Sequence, residues 1–273
     1  MKEWRTKISV VEDNKVLIHG YSHYDIIGGI SFAQGVFLTL RGELPTPEES
    51  RMVEALLNCA LDHGFVAASV LAARYIASGN PQFVPAVAGG LLAAGSNTIN
   101  PAHSADFINR AHARMRAAGW TIDEAAREIV AEMREKKQRI PGLGHPTHKG
   151  ADFRAVKLHA IAIECGFFDE RAQLYEAIHA EFLRVSGKGH IPINVDGMMA
   201  CIMNAMGFRA AEMSAIACLS VLPGVMAHVV EEMEEGKPLR HISPADSEYT
   251  GHPGRPLASA ETAPRSVVAG GKA

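Results

Sequence analysis

The chain has 273 residues, 47% of them apolar, and a formal net charge of −3 with histidine neutral. That length holds one large domain, or a large and a small lobe around a cleft, and the interspersed charges exclude the electrostatic footprint of a nucleic-acid binder. Four widely spaced cysteines (Cys59, Cys165, Cys201, Cys218), with no CxxC pair, exclude a disulfide framework and a zinc finger and fit a reducing compartment.

The first five residues carry no apolar signal-peptide core. Residues 7–11 and 15–18, rich in β-branched side chains, flank the polar turn Glu12-Asp13-Asn14 and predict a short hairpin. From residue 30 onward the signals are helical. Thr46-Pro47-Glu48-Glu49 joins an N-cap, a proline at the first helical position and an acid at the third. The helix it opens carries Met52, Val53, Leu56, Leu57, Ala60 and Leu61 on one face. Further helices are predicted over 65–78, 83–94 and 101–118, and from a second capping box, Thr121 to Glu124, to about residue 137. After a proline–glycine loop come helices near 152–165, 169–185, 196–206 and 209–234. The apolar run 213–227 is shorter than a membrane span and contains Pro223, so it reads as a buried helix. A cytoplasmic protein that engages neither membrane nor nucleic acid is expected.

These signals predict an all-α fold of nine or ten helices with a short N-terminal β-hairpin. A single domain is expected over 1–258, with about 140–240 as a small lobe beside a large helical core, and a flexible tail over 259–273.

Pro141-Gly142-Leu143-Gly144-His145 is the segment richest in chemistry. Glycines on both sides of Leu143 permit a tight turn against a ligand, and Pro146 keeps His145 out of a helix. Arg154 follows at the start of a predicted helix, where a guanidinium can grip a carboxylate. Asp196 stands at the next helix start beside apolar Ile193 and Val195, a setting that raises a carboxylate pKa toward general acid–base work and also suits a plain N-cap. His63, in Asp62-His63-Gly64, lies where a capped helix stops, suited to a structural role or to a ligand contact. The remaining histidines read as structural. His19 and His23 have zinc-like spacing but no third ligand nearby, His145 and His148 alone make a weak pair, and no metal is expected. His112, His159, His179 and His228 sit singly inside helices. The basic stretch 134–139 reads as a solvated helix end.

Taken together, Asp62-His63-Gly64-Phe65, Pro141-Gly142-Leu143-Gly144-His145, Asp152-Phe153-Arg154-Ala155 and Asn194-Val195-Asp196-Gly197 resemble the citrate synthase superfamily over about residues 20–255. Asn-Val-Asp-Gly at 194–197, a short N-terminal region and the ending Arg240-His241…Glu248-Tyr249-Thr250-Gly251 are similar to the citryl-CoA lyase branch and the C-terminal module of ATP-citrate lyase. The resemblance implies a helical core plus small lobe around a cleft, and cleavage of citryl-CoA or a related 3-hydroxyacyl-CoA to acetyl-CoA and oxaloacetate or a related keto acid. It implies His145 as the base at the tertiary hydroxyl and Asp196 as the acid that protonates the enolate. His63, Arg154 and Arg240 would hold carboxylates, Arg240 from a neighbouring subunit of a homodimer or higher homo-oligomer. Leu143, Gly144 and Lys188 would contact coenzyme A, which enters as substrate; no covalently bound cofactor is implied. Within 95–103 no histidine falls in register with the family's enol-stabilising one. Thr98 stands at its place, with Asn97, Asn100 and His103 as other candidate donors. Two alternatives stand beside the lyase: a citrate synthase-type condensing acyltransferase and a non-catalytic CoA-binding partner subunit.

Overall fold

The computed structural model describes residues 3–95 and 97–256; the tail expected over 259–273 lies outside the described residues. Among these, eleven α-helices and one three-stranded antiparallel sheet form the framework. The expected hairpin is present as β1 (Ser9–Glu12) and β2 (Lys15–Ile18), and a two-residue β3 (Tyr21–Ser22) extends it. The turn between β1 and β2 is made by Asn14 at φ 53°, a conformation that asparagine tolerates.

A short α1 (His23–Ile26) leads into α2 (Phe32–Arg41). Helix α3 (Pro47–Asn58) starts at the Thr46–Glu49 capping box, with Met52, Val53 and Leu56 buried. A 3-10 turn, Gly64–Val66, precedes α4 (Ala68–Gly79), so the helix expected from Phe65 begins later. The reason is local: Gly64 has φ 52°, and the backbone regains helical geometry only beyond Ala67. Then follow α5 (Phe83–Leu92), α6 (Pro101–Ala118), α7 (Ile122–Glu135), α8 (Phe153–Cys165), α9 (Glu170–Ser186), α10 (Val195–Ala205) and α11 (Ala210–Glu235).

The main core joins α2, α3, α6–α10 and the start of α11, with Tyr175, Met199, Ile202 and Met203 fully buried. A second, smaller core joins Val70, Ala73 and Ala77 of α4, Ala86 of α5, and Val225 and Val229 of α11. Helix α11 is long and apolar enough to cross a membrane by length and composition. Its Met213, Ile216 and Ala217 nevertheless pack in the main core, as the sequence reading of a buried helix expects. Two compact units divide the chain between Leu239 and Arg240. The first holds all the helices above and includes residues 140–239. In the second, the described residues are irregular apart from a 3-10 turn at Pro244–Asp246, capped by the Ser243 side chain.

Candidate active site

Close backbone approach between two loops builds the site. Gly142 N–Cα geometry (φ 79°) and Gly144 (φ 89°) bend the 141–145 loop, as expected for glycine on either side of Leu143. Leu143 bridges to Ile193, Asn194 N–H donates to Gly142 O at 2.9 Å, and Gly144 N–H donates to Pro192 O at 2.8 Å. Tyr175, buried on α9, donates its hydroxyl to Pro141 O at 2.6 Å. A Cβ on Gly142 would lie 2.6 Å from Gly197 Cα, so both positions need glycine. The loop bearing His145 is thereby pinned to the N-terminus of α10, which bears Asp196.

Asn194, not Asp196, caps α10: its Oδ1 accepts Gly197 N–H at 3.0 Å, while its Nδ2 donates to Gly144 O at 2.9 Å. Relieved of the cap, Asp196 accepts Asn100 N–H at 3.2 Å. Burial pushes its pKa up, against the lowering effects of that N–H and of Arg154. Ile99 sits at φ 55°, a strained backbone for a β-branched residue, just before the amide that meets Asp196.

His145 has a fixed tautomer. Its Nδ1 accepts the backbone N–H groups of Thr147 (3.1 Å) and His148 (3.0 Å), so the proton of the neutral ring is on Nε2. Burial, then Arg154, His148 and His63, lower its pKa to about 4. His63 is shifted down for the same leading reason, burial, followed by Arg154. The rings of His63 and His145 lie 4.9 Å apart, and His148 stacks on His145 at 4.4 Å. Nitrogens of the three histidines approach within 4.8 Å, a density that could hold a metal ion. The cluster is a poor metal set, because His145 Nδ1 already accepts two N–H groups and a guanidinium lies alongside.

Arg154 is largely buried and forks onto Asp152, Nε to Oδ1 at 2.9 Å and Nη2 to Oδ2 at 2.7 Å. One face of the expected carboxylate clamp is therefore already used, leaving Nη1 and the outer Nη2 hydrogen. Asp152 also caps α8 and accepts Val195 N–H at 3.1 Å. Burial would raise its pKa, but hydrogen bonds and charge from Arg154 outweigh this and lower it. This linking role was not read from the sequence, although Asp152 stands in the motif beside Arg154.

A cavity of about 660 Å³ is lined by His63, Thr98, Asn97, His145, Arg154 and Asp196, among others. Asn100 reaches Asp196 only through its backbone, since its side chain caps α6 by accepting His103 N–H at 3.2 Å. His103 is exposed on the first turn of α6. Arg240 belongs to the second unit. A neighbouring cavity of about 670 Å³ shares Asn97, Gly144, His145, Pro146 and Asn194 with the first, and is lined further by Leu143, Lys188, Arg134 and Arg139. The two arginines, read in sequence as part of a solvated helix end, thus reach a cavity wall. Their spacing alone gave no sign of it, because the chain leaves α7 between them.

Residues 19–242 match the family described as Citrate synthase, C-terminal domain. Citrate synthase 2 of Bacillus subtilis is 26% identical over 220 residues, 80% of this chain and 56% of that protein. Citrate synthase of Deinococcus radiodurans is also 26% identical, over 81% of this chain and 56% of its own; the chain spans about half the length of these curated relatives. The structure of citryl-CoA lyase from Hydrogenobacter thermophilus superposes with a TM-score of 0.83 at 36% identity, covering 94% of this chain and 98% of that one. Citrate synthase from Thermotoga maritima gives 0.56 at 15% identity, covering 95% and 96%, a likeness of fold alone. With the match over 19–242 and the similarity to citryl-CoA lyase, the chain belongs to the citrate synthase family.

Proposed function

We propose that the chain cleaves citryl-CoA, or a related 3-hydroxyacyl-CoA, to acetyl-CoA and oxaloacetate or a related keto acid. The observation that carries this reading is the 36% identity and 0.83 TM-score with a citryl-CoA lyase, against 15% and 0.56 for a citrate synthase. Asp196, with its raised pKa, serves as the carboxylic acid that protonates the enolate carbon of acetyl-CoA. His145 takes a role different from the one expected from sequence. Its Nε2 already bears a proton, so it donates a hydrogen bond to the tertiary oxygen rather than removing the hydroxyl proton. His63, neutral and 4.9 Å ring to ring from His145, offers a lone pair for that proton. Arg154 orients a carboxylate, and Arg240 of the partner subunit in a homodimer adds a further cation. Thr98 and Asn97 remain as donors to the thioester oxygen, because Asn100 is committed to its cap and His103 is exposed. Arg134, Arg139 and Lys188 suit the phosphates of coenzyme A, with Leu143 and Gly144 along its path. The four cysteines are unpaired, which suits a reducing cytoplasm.

The condensing reading keeps one point in its favour: the curated relatives at 26% identity are named as synthases. Incubation with (3S)-citryl-CoA separates the two. Release of oxaloacetate without free citrate is expected; accumulation of citrate would make the protein a synthase. Turnover of neither citryl-CoA nor its methylated analogues would overturn both.

A further inference from the structure

His63 contributes to the cavity wall, and its ring packs against those of His145 (4.9 Å) and His148 (5.3 Å), but among the described residues its buried Nε2 has no hydrogen-bond partner. With no hydrogen bond on that nitrogen, the placement of the ring depends on those contacts and on the backbone that carries it. That backbone is a tight turn in which Asp62 Oδ2 accepts Gly64 N–H at 3.1 Å. The other oxygen, Oδ1, lies 3.1 Å from Nε2 of His228 on α11.

His228 is itself oriented. Arg74 Nη1 lies 3.1 Å from His228 Nδ1, and since a guanidinium only donates, Nδ1 accepts and Nε2 carries the proton given to Asp62. Arg74 is buried on α4 and tied to α11 by Glu232 at 2.7 Å and by Glu231. One turn before His228, Gly224 lets α11 approach the same turn. A Cβ there would lie 2.9 Å from Asp62 Cβ and would collide with Leu61 O. The chain Arg74–His228–Asp62 thus runs from a buried ion cluster to the turn that presents His63. It also gives a partner to the Asp62 carboxylate, which lines a cavity read here as binding a polyanion.

We propose that His228 is a positioning residue: through Asp62 it fixes the 62–64 turn and hence the imidazole of His63 against the dicarboxylate substrate. This rests on the functional reading above. The test compares His228→Leu, which removes both hydrogen bonds, with His228→Gln, which keeps a donor and an acceptor. Oxaloacetate affinity should fall on the order of tenfold to a hundredfold in H228L, with coenzyme A affinity within about twofold, and H228Q should recover most of it. The His63 ring signal in the NMR spectrum, assigned with a His63→Gln variant, should shift in H228L and return in H228Q. Asp62→Ala should act on the same path, so that adding H228L to it weakens oxaloacetate binding no further. An H228L protein with unchanged oxaloacetate affinity and an unmoved His63 signal overturns the proposal. So does an equal loss of both ligands that H228Q does not recover. Should H228L fail to fold, D62A carries the same comparison: unchanged oxaloacetate affinity and an unmoved His63 signal there also overturn it. A wild-type protein that binds no oxaloacetate refutes the functional reading instead, and the His63 signal still decides the link to His228.

Discussion

At Asp196 two influences oppose each other: burial favours the neutral acid, while the Asn100 N–H and Arg154 favour the carboxylate, and burial prevails. Cleavage uses the protonated form, so its rate should fall as pH climbs through the raised pKa; condensation, which needs the carboxylate, should show the opposite limb from this group. His145, down at about 4, contributes no limb near neutrality. Asp196→Asn should lower kcat for citryl-CoA cleavage about 100- to 10,000-fold and remove the pH limb, with an unchanged circular dichroism spectrum. Near-wild-type turnover in that variant would rule out the acid role. Much at this scale was legible in sequence, because glycine, proline and apolar neighbours announce a shaped loop around His145 and a desolvated Asp196. The tautomer of His145 was not. It depends on where the amides of Thr147 and His148 point, which no pattern of residue types encodes.

Among the elements, the junction of the 141–145 loop with α10 governs how the loop bearing His145 sits against the helix start bearing Asp196. Gly142 faces Tyr175 Oη, Gly197 Cα and Ser104 Oγ at once, in a left-handed conformation. Gly142→Ala should therefore cost about 1–3 kcal/mol from overpacking, plus roughly 1–2 kcal/mol from backbone conformation. Tm should drop by about 2–4 °C for each kcal/mol. Adding Tyr175→Phe should not restore it, because the clash with Gly197 persists and Pro141 O loses its donor; recovery of Tm in the double variant would show that the hydroxyl alone sets the limit. Helix starts were readable where caps are local: Thr46 and Thr121 close the expected boxes. The Ser31–Gln34 box of α2 is as complete, but its signal is masked by the glycine-rich stretch around it, Gly28 to Gly35. What sequence could not supply was the pairing of 142–144 with 192–194, a long-range contact made through backbone atoms common to all residues.

For the molecule as a whole, the two cavities share a wall at Gly144, His145 and Pro146, so one elongated ligand can cross from Asp196 and His145 to the cationic end at Arg134, Arg139 and Lys188. The division of labour is electrostatic. Burial and nearby cations push the pKa values of His63 and His145 down, whereas Arg134, Arg139 and Lys188 line the far side. Phosphate recognition by partly solvated cations weakens as salt rises, because exposed charges are screened beyond a Debye length of about 8 Å at physiological ionic strength. Coenzyme A affinity should therefore fall with added salt, and an Arg134→Gln, Arg139→Gln double variant should bind more weakly and with a shallower salt dependence. Oxaloacetate affinity in the same variant should stay near wild type, since neither arginine lines the first cavity. Isothermal titration at several salt concentrations measures both. An unaltered salt slope for coenzyme A would mean that its phosphates lie elsewhere, and the second cavity would then need a different occupant.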